Sequence, residues 1–372
     1  MFALQQVFGN ASSTHSNGQL ARRHIEGARR TIAKFLNVTP PEVVFTSGGT
    51  ESNNLAIFGL IRTLPGDRKH IITTAIEHPA VLEPFRQLER QGIQVTYLGT
   101  DPSGAVTIRD LERNVRPETV LVSVMHVNNE TGVEQPVRSV AALLCRLRAS
   151  GQTIYFHSDG VQALGKCGVD ILELGVDLYT VSGHKIYAPK GIGALIVRKG
   201  KPLAGIQLGG RHEDQRRAGT ENVPGAMAFS RAIELCSGDD HARLAGLRDR
   251  FEMDVISTLN DTEVNGSVAD RVPNTSNLLF RGVSGEALLI SLDVKGIAVS
   301  TGSACSSGAV EPSHVLLAMG RTREEARSSV RFSFGRYNSE EDIDQLTEAV
   351  IASVRQLRKT AKKCSVREVQ PV

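Results

Sequence analysis

Apolar residues recur at helical spacing at Ile25, Ala28, Ile32, Phe35 and Leu36, which predicts an amphipathic helix over 19–36 with its arginines on the wet face. Pro40 and Pro41 end it. Val43 to Thr46 reads as a short buried strand, and the glycine turn Ser47-Gly48-Gly49-Thr50 leads from it into a helix over 54–64. Strands are then predicted over 70–75, 93–98, 119–124, 153–157, 177–181 and 193–197, with helices over 79–91, 108–114 and 137–149. Such alternation predicts an α/β fold with a mostly parallel sheet and helices on both faces. After a helix over 221–236 the pattern shifts: helices over 241–259, 285–293 and 339–359 mix with strands over 277–280, 297–300 and 330–334, the pattern of a smaller α+β lobe.

Ligands on open α/β sheets bind beyond the carboxyl ends of the strands. Those ends carry Thr50, Glu77-His78, Asn128-Asn129-Glu130, Asp159 with Gln162, and Ser182 to Lys185. Any one of these alone is explained by a satisfied core histidine or loop asparagine. Polar groups on five successive ends are not. In Ser182-Gly183-His184-Lys185 a strand-like run delivers a hydroxyl, an imidazole and a lysine into a turn. A lysine in that setting suits Schiff-base attachment of an aldehyde cofactor, provided its basicity is lowered and water is kept out. Ser182 and His184 would then face a phosphate, although these four residues taken alone fit a plain surface turn equally well. The Gly48-Gly49-Thr50 turn before a helix also suits a phosphate. No Gly-Lys-Ser/Thr follows, which argues against Walker-type nucleotide binding, and a simple N-cap by Ser47 or Thr50 explains that string on its own.

With 372 residues the chain exceeds what one core usually supports, so two lobes are expected: a large domain over 1–236, a small one over 237–360, and a loose polar tail over 361–372. The net charge of +3, with acids and bases interspersed, gives no nucleic-acid footprint. No span approaches the ~20 apolar residues of a membrane helix. The five cysteines are odd in number and none lies at C-x-x-C spacing, so no structural metal is expected and a reducing cytoplasm is the simplest setting.

Several strings together resemble the pyridoxal-phosphate enzymes of aminotransferase fold type I, class V, and within them the cysteine desulfurases of the NifS/IscS group. They are Thr46-Ser47-Gly48-Gly49-Thr50-Glu51-Ser52-Asn53-Asn54, His126-Val127-Asn128-Asn129-Glu130-Thr131-Gly132, His157-Ser158-Asp159-Gly160-Val161-Gln162, Ser182-Gly183-His184-Lys185, Arg217-Ala218-Gly219-Thr220-Glu221-Asn222 and Gly302-Ser303-Ala304-Cys305-Ser306-Ser307-Gly308. The resemblance covers nearly the whole chain. It implies a seven-stranded-type sheet in the large lobe and pyridoxal 5'-phosphate as cofactor. Lys185 would be the Schiff-base lysine, Asp159 the partner of the pyridine nitrogen, and His78 the imidazole stacked on the ring and placed to move protons. Gln162 and Asn129 match positions that hold the phenolate oxygen and the substrate side. Gly49, Thr50, Ser182 and His184 match the phosphate cradle. Thr220 matches a threonine that reaches the neighbouring subunit's cofactor, which implies a homodimer. Arg331 matches the clamp of the substrate carboxylate, a task suited to its bidentate fork.

Cys305 sits among small residues, which suits a thiol that travels to a substrate sulfur. The resemblance implies that Lys185 takes the Cα proton of L-cysteine and that Cys305 attacks the sulfur. Alanine and a Cys305 persulfide result, the latter for a sulfur-acceptor or iron–sulfur scaffold protein, or for tRNA thiolation. Cys305 is also the residue that would meet iron during transfer. Family members usually carry an additional strand and loop ahead of the Phe8-Gly9-Asn10 segment, where this chain has only a few residues. A cofactor-binding but impaired partner or scaffold is therefore a second expectation, and selenocysteine cleavage or transamination a third.

Overall fold

The computed structural model describes residues 5–66, 69–236, 239–266, 270–302 and 311–367. They divide into two compact units. The first comprises Met1–Leu98, Val106–Val127 and Gln135–Ser237, and the second Gly99–Ala105, Asn128–Glu134 and Gly238–Val372.

In the first unit, helix α1 (Ser16–Phe35) precedes β1 (Val43–Thr46), α2 (Gly49–Ile61), β2 (His70–Thr74), α3 (Pro79–Arg90), β3 (Gln94–Leu98), α4 (Ile108–Asn114) and β4 (Thr119–Ser123). Then come α5 (Val137–Ala149), β5 (Tyr155–Asp159), α6 (Ile171–Leu174), β6 (Leu178–Ser182), β7 (Gly193–Val197) and α7 (Val223–Glu234). The strands form one seven-stranded sheet in the order β1-β7-β6-β5-β4-β2-β3. Strand β7 runs antiparallel to both neighbours, while the remaining pairings are parallel.

Strand side chains alternate between faces, and here the alternation sorts them into two layers. Phe45, Ile72, Val122, Tyr179 and Ile196 join the core under α1, α5 and α7. Their neighbours Val44, Ile71, Leu121, Leu178 and Leu195 join the core under α2 and α3. Helix α1 buries Ala21, Ile25, Ala28, Ile32 and Ala33 against α7, each isoleucine contributing about 1.5–3 kcal/mol. All parallel strands point their carboxyl ends to one edge of the sheet, where Thr50, His78, Asp159 and the Ser182-to-Lys185 turn lie, while Asn128, Asn129 and Glu130 belong to the second unit.

The second unit contains α8 (Asp239–Thr258), β8 (Thr262–Val264), β9 (Thr275–Phe280), α9 (Gly285–Asp293), α10 (His314–Ala318), α11 (Arg323–Arg327), β10 (Ser329–Ser333) and α12 (Glu340–Arg367). Its three strands form an antiparallel sheet ordered β10-β9-β8. Phe251 is the centre of its core, 4.8 Å from the Phe332 ring and 5.8 Å from the Phe334 ring, centroid to centroid. Among the described residues no helix is long and apolar enough to cross a membrane.

Four sequence expectations need correction. The strand expected over 153–157 is Tyr155–Asp159, because its pairing with β6 continues to Asp159 opposite Thr180. No strand forms over 297–300: Ser300 and Arg331 exchange backbone bonds as an isolated bridge, and Ile297 instead closes helix α9 by donating to Leu292. Arg29 does not lie on a wet face, since its side chain is 11% exposed and paired with Glu213. The last helix continues to Arg367, so the first part of the expected tail over 361–372 is helical.

Candidate active site

Strand β1 ends in the turn to α2. Its N-cap, Gly48, has φ 151°, an angle that L side chains rarely adopt, and no side chain caps the helix. Neither Ser47 nor Thr50 therefore acts as the N-cap, contrary to the simpler reading of that string. Glu51 reaches back to accept the Ser47 N–H at 2.8 Å. A Cβ at Gly49 would lie 2.7 Å from Val161 Cγ2 and 3.8 Å from Ser182 Cβ, so the turn packs directly on the ends of β5 and β6. Thr50 is exposed at the head of α2, where the helix dipole and free N–H groups favour an anion.

Asp159 is buried at the end of β5. Its Oδ2 accepts from Asn53 Nδ2 at 2.7 Å and its Oδ1 from the Val161 N–H at 2.9 Å. Its main-chain oxygen accepts the His126 N–H at 2.9 Å. The following residue must be glycine, because a Cβ at Gly160 would meet Tyr179 Cζ at 2.0 Å. Tyr179 in turn lies 2.7 Å from His126 Nδ1 through its hydroxyl. Burial raises the Asp159 carboxyl above its usual range, although its two hydrogen bonds and the nearby His78 and Lys185 pull the other way. The buried Glu77 is also raised well above its usual range, by burial first and by Asp159 second. A buried carboxyl in this condition suits a cationic N–H partner.

Lys185 follows β6 in a 3₁₀ turn, Gly183–Ile186, that closes on Tyr187 at φ 70°. Ile186 and Gly183 are buried, while Lys185 itself is exposed. The apolar flanks thus anchor the turn but do not shield the amine, as the sequence pattern had suggested they would. Ser182 Oγ and His184 Nδ1 are 2.9 Å apart, and burial, then Lys185, holds His184 below the usual histidine range. His78 caps α3: its Nδ1 accepts the Ala80 N–H at 3.1 Å, which leaves the ring proton on Nε2. Gln162 is half-buried and accepts from Lys166 Nζ.

Gly49, Ser182, His184, Lys185, Asp159 and His78 are thus brought together at one sheet edge. Thr220 is exposed on a different segment, tied to α2 where Arg217 Nε bonds Glu51 Oε1 at 2.7 Å. Asn53, the main support of Asp159, was quoted in the sequence only as part of a string; it lies on α2 within a turn of Thr50, the one signal that pointed to it.

In the second unit, Arg331 Nη1 donates to the Asn129 carbonyl at 2.6 Å. Its buried Nε finds no acceptor among the described residues, and burial lowers the guanidinium despite the nearby Glu130. An unfilled buried donor of this kind suits an incoming carboxylate. Glu130 is buried, raised by that burial, and accepts from Ser313 Oγ at 2.5 Å. Asn128 is structural, its Oδ1 accepting the N–H groups of Glu130 and Thr131. Cys305 lies outside the described residues.

The aminotransferase class-V family model matches residues 3–346. The chain is 44% identical over 358 residues to a cysteine desulfurase IscS of Dictyoglomus turgidum, covering 95% of this chain and 90% of the relative. Among solved structures it resembles a NifS-like protein with a TM-score of 0.88 at 34% identity, covering 96% of this chain and 94% of that one. It also resembles SspA in complex with cysteine, with a TM-score of 0.80 at 33% identity over 91% of this chain and 94% of that one.

Proposed function

The chain belongs to the aminotransferase class-V family, and we infer that within it the protein is a pyridoxal-phosphate-dependent cysteine desulfurase, converting L-cysteine to alanine while retaining the sulfur. The observation that carries the cofactor assignment is the buried Asp159 carboxyl, held by Asn53 and Val161 beside an uncapped helix start. That donor set fits a ligand bearing a protonated pyridine nitrogen and a phosphate. Gly49, Thr50, Ser182 and His184 would hold the phosphate, Asp159 the ring nitrogen and Gln162 the phenolate oxygen, and Lys185 would take the aldehyde. Bound there, pyridoxal phosphate supplies an electron sink for the carbanion formed at the substrate Cα.

The chain's own residues supply the rest. Arg331 takes the substrate carboxylate, with Asn129 beside it. Lys185 holds the proton removed from Cα, and His78, with its proton on Nε2, exchanges protons at the ring side. The Cys305 thiolate forms an S–S bond to the substrate sulfur as the substrate C–S bond breaks. The electron pair of that bond stays with the three-carbon fragment, which protonation completes as alanine. A reducing, cytoplasmic setting keeps the Cys305 thiol available, and its persulfide passes to an acceptor protein for iron–sulfur cluster assembly or tRNA thiolation. Thr220 reaches the phosphate of a second copy's cofactor, so the working form is a homodimer.

The test is to add pyridoxal phosphate and L-cysteine to the purified chain and follow visible absorption, alanine and sulfide, with Lys185→Ala and Cys305→Ala as controls. Bound-cofactor absorption with sulfide release that requires Cys305 is expected. Absorption without sulfide or alanine would instead favour an impaired, cofactor-binding scaffold.

A further inference from the structure

Strand β1 is the outermost strand on its side of the sheet, with β7 on one edge only. Its other edge is completed by two side chains. Arg29 Nη1 donates to the Val43 carbonyl at 2.6 Å, and the Phe45 N–H donates to Glu213 Oε2 at 2.9 Å. Alternate residues of an edge strand present their polar groups to the same side, so these are the two positions that a neighbouring strand would fill. Arg29 and Glu213 also bind each other through two bonds of 2.7 Å, with side chains 11% and 3% exposed. The guanidinium lies over the Phe45 ring, 4.8 Å from its centroid.

The chain accepts backbone strain to bring Glu213 there. Glu213, Asp214 and Gln215 have φ values of 48°, 53° and 66°, three successive non-glycine residues in left-handed backbone. Each costs roughly 1–2 kcal/mol. On one side the pair holds β1, which runs directly into the Ser47-to-Thr50 turn. On the other it holds the segment that leads to Thr220, which Arg217 ties a second time, to Glu51.

We propose that the Arg29–Glu213 pair is a positioning device for the cofactor phosphate: it satisfies the open edge of β1 and fixes the Ser47-to-Thr50 turn, while holding the segment whose Thr220 reaches the phosphate of a second copy. This rests on reading Gly49, Thr50 and Thr220 as phosphate ligands. Neither member is among the residues assigned to the cofactor.

The experiment compares pyridoxal phosphate with pyridoxal, the same aldehyde without its phosphate, by absorbance titration of the apoprotein. Wild type, Glu213→Gln and Arg29→Lys are measured, with thermal unfolding of each apo form. In the folded variants pyridoxal phosphate is expected to bind about tenfold more weakly, the equivalent of one hydrogen bond to a charged group, with pyridoxal affinity unchanged. Arg29→Lys keeps the charge but loses the fork, so it carries the same comparison if Glu213→Gln does not fold. Equal loss of both aldehydes, or a preference for the phosphate form that survives both substitutions, overturns the positioning role. A wild-type protein that binds both aldehydes equally overturns the phosphate-site reading itself, and the positioning role with it.

Discussion

Asn53 and Asp159, 106 residues apart in sequence, meet at 2.7 Å in the buried base of the site. Asn53 is on the first helix after the glycine turn and Asp159 at the end of a central strand, so this single bond ties α2 to the buried carboxyl.

Asn53→Ala removes that donor and leaves a buried carboxyl oxygen without it. The expected cost is about 1.5–3 kcal/mol of apoprotein stability, read by urea unfolding, together with faster loss of bound pyridoxal phosphate on gel filtration. An unchanged midpoint and unchanged cofactor retention would show that the bond is idle.

Arg331→Ala should leave the bound-cofactor spectrum intact and raise KM for L-cysteine about ten- to hundredfold, since a charged hydrogen-bond partner of the carboxylate is lost. Steady-state kinetics with alanine as product checks it. Loss of cofactor binding instead of substrate affinity would place Arg331 in the fold and not in the pocket.

Gly160→Ala puts a Cβ at 2.0 Å from Tyr179 Cζ, in a ring fully buried under the sheet. Overpacking here should cost at least about 1–3 kcal/mol and displace Asp159. Combining it with Tyr179→Ala should recover some of the cofactor affinity, measured by titration; no recovery would mean that the glycine serves another purpose.

Three buried histidines contribute a pH dependence, His70, lowered to about 4 by burial and Arg116, among them. Burial pushes His157 down to about 3, and burial, with a smaller contribution from Arg138, pushes His126 down to about 4. All three are neutral in the folded protein and take up protons on unfolding once pH drops below the ordinary value of 6.5. Their contribution to stability is therefore complete above that pH and lost as pH falls towards 4, by up to about 1.4 kcal/mol per pH unit for each histidine. Urea unfolding of wild type and His157→Gln at pH 7, 6 and 5 checks the decline. Because the raised Glu77, Asp159 and Glu130 carboxyls act with the opposite sign, the readout is the difference between wild type and His157→Gln, and a difference that does not change between pH 7 and 5 would contradict the assignment.

The sequence alone determined the order of strands and helices, because apolar periodicity and glycine or proline punctuation are local properties. It also determined which polar groups stand at the strand ends: His78, Asp159 and the Ser182-to-Lys185 turn follow directly from where each apolar run stops. The expected strand over 297–300 failed because a β-branched run forms a strand only if a partner offers a ladder, and here only Ser300 finds one, in Arg331. Arg29 was assigned to solvent for a related reason: its partner Glu213 lies 184 residues away, and no helical periodicity encodes that distance. What tertiary structure decided were the pairings across the chain, Asn53 with Asp159, Arg29 with Glu213 and Tyr179 with Gly160. Each depends on a close approach between segments that only the packed sheet brings together.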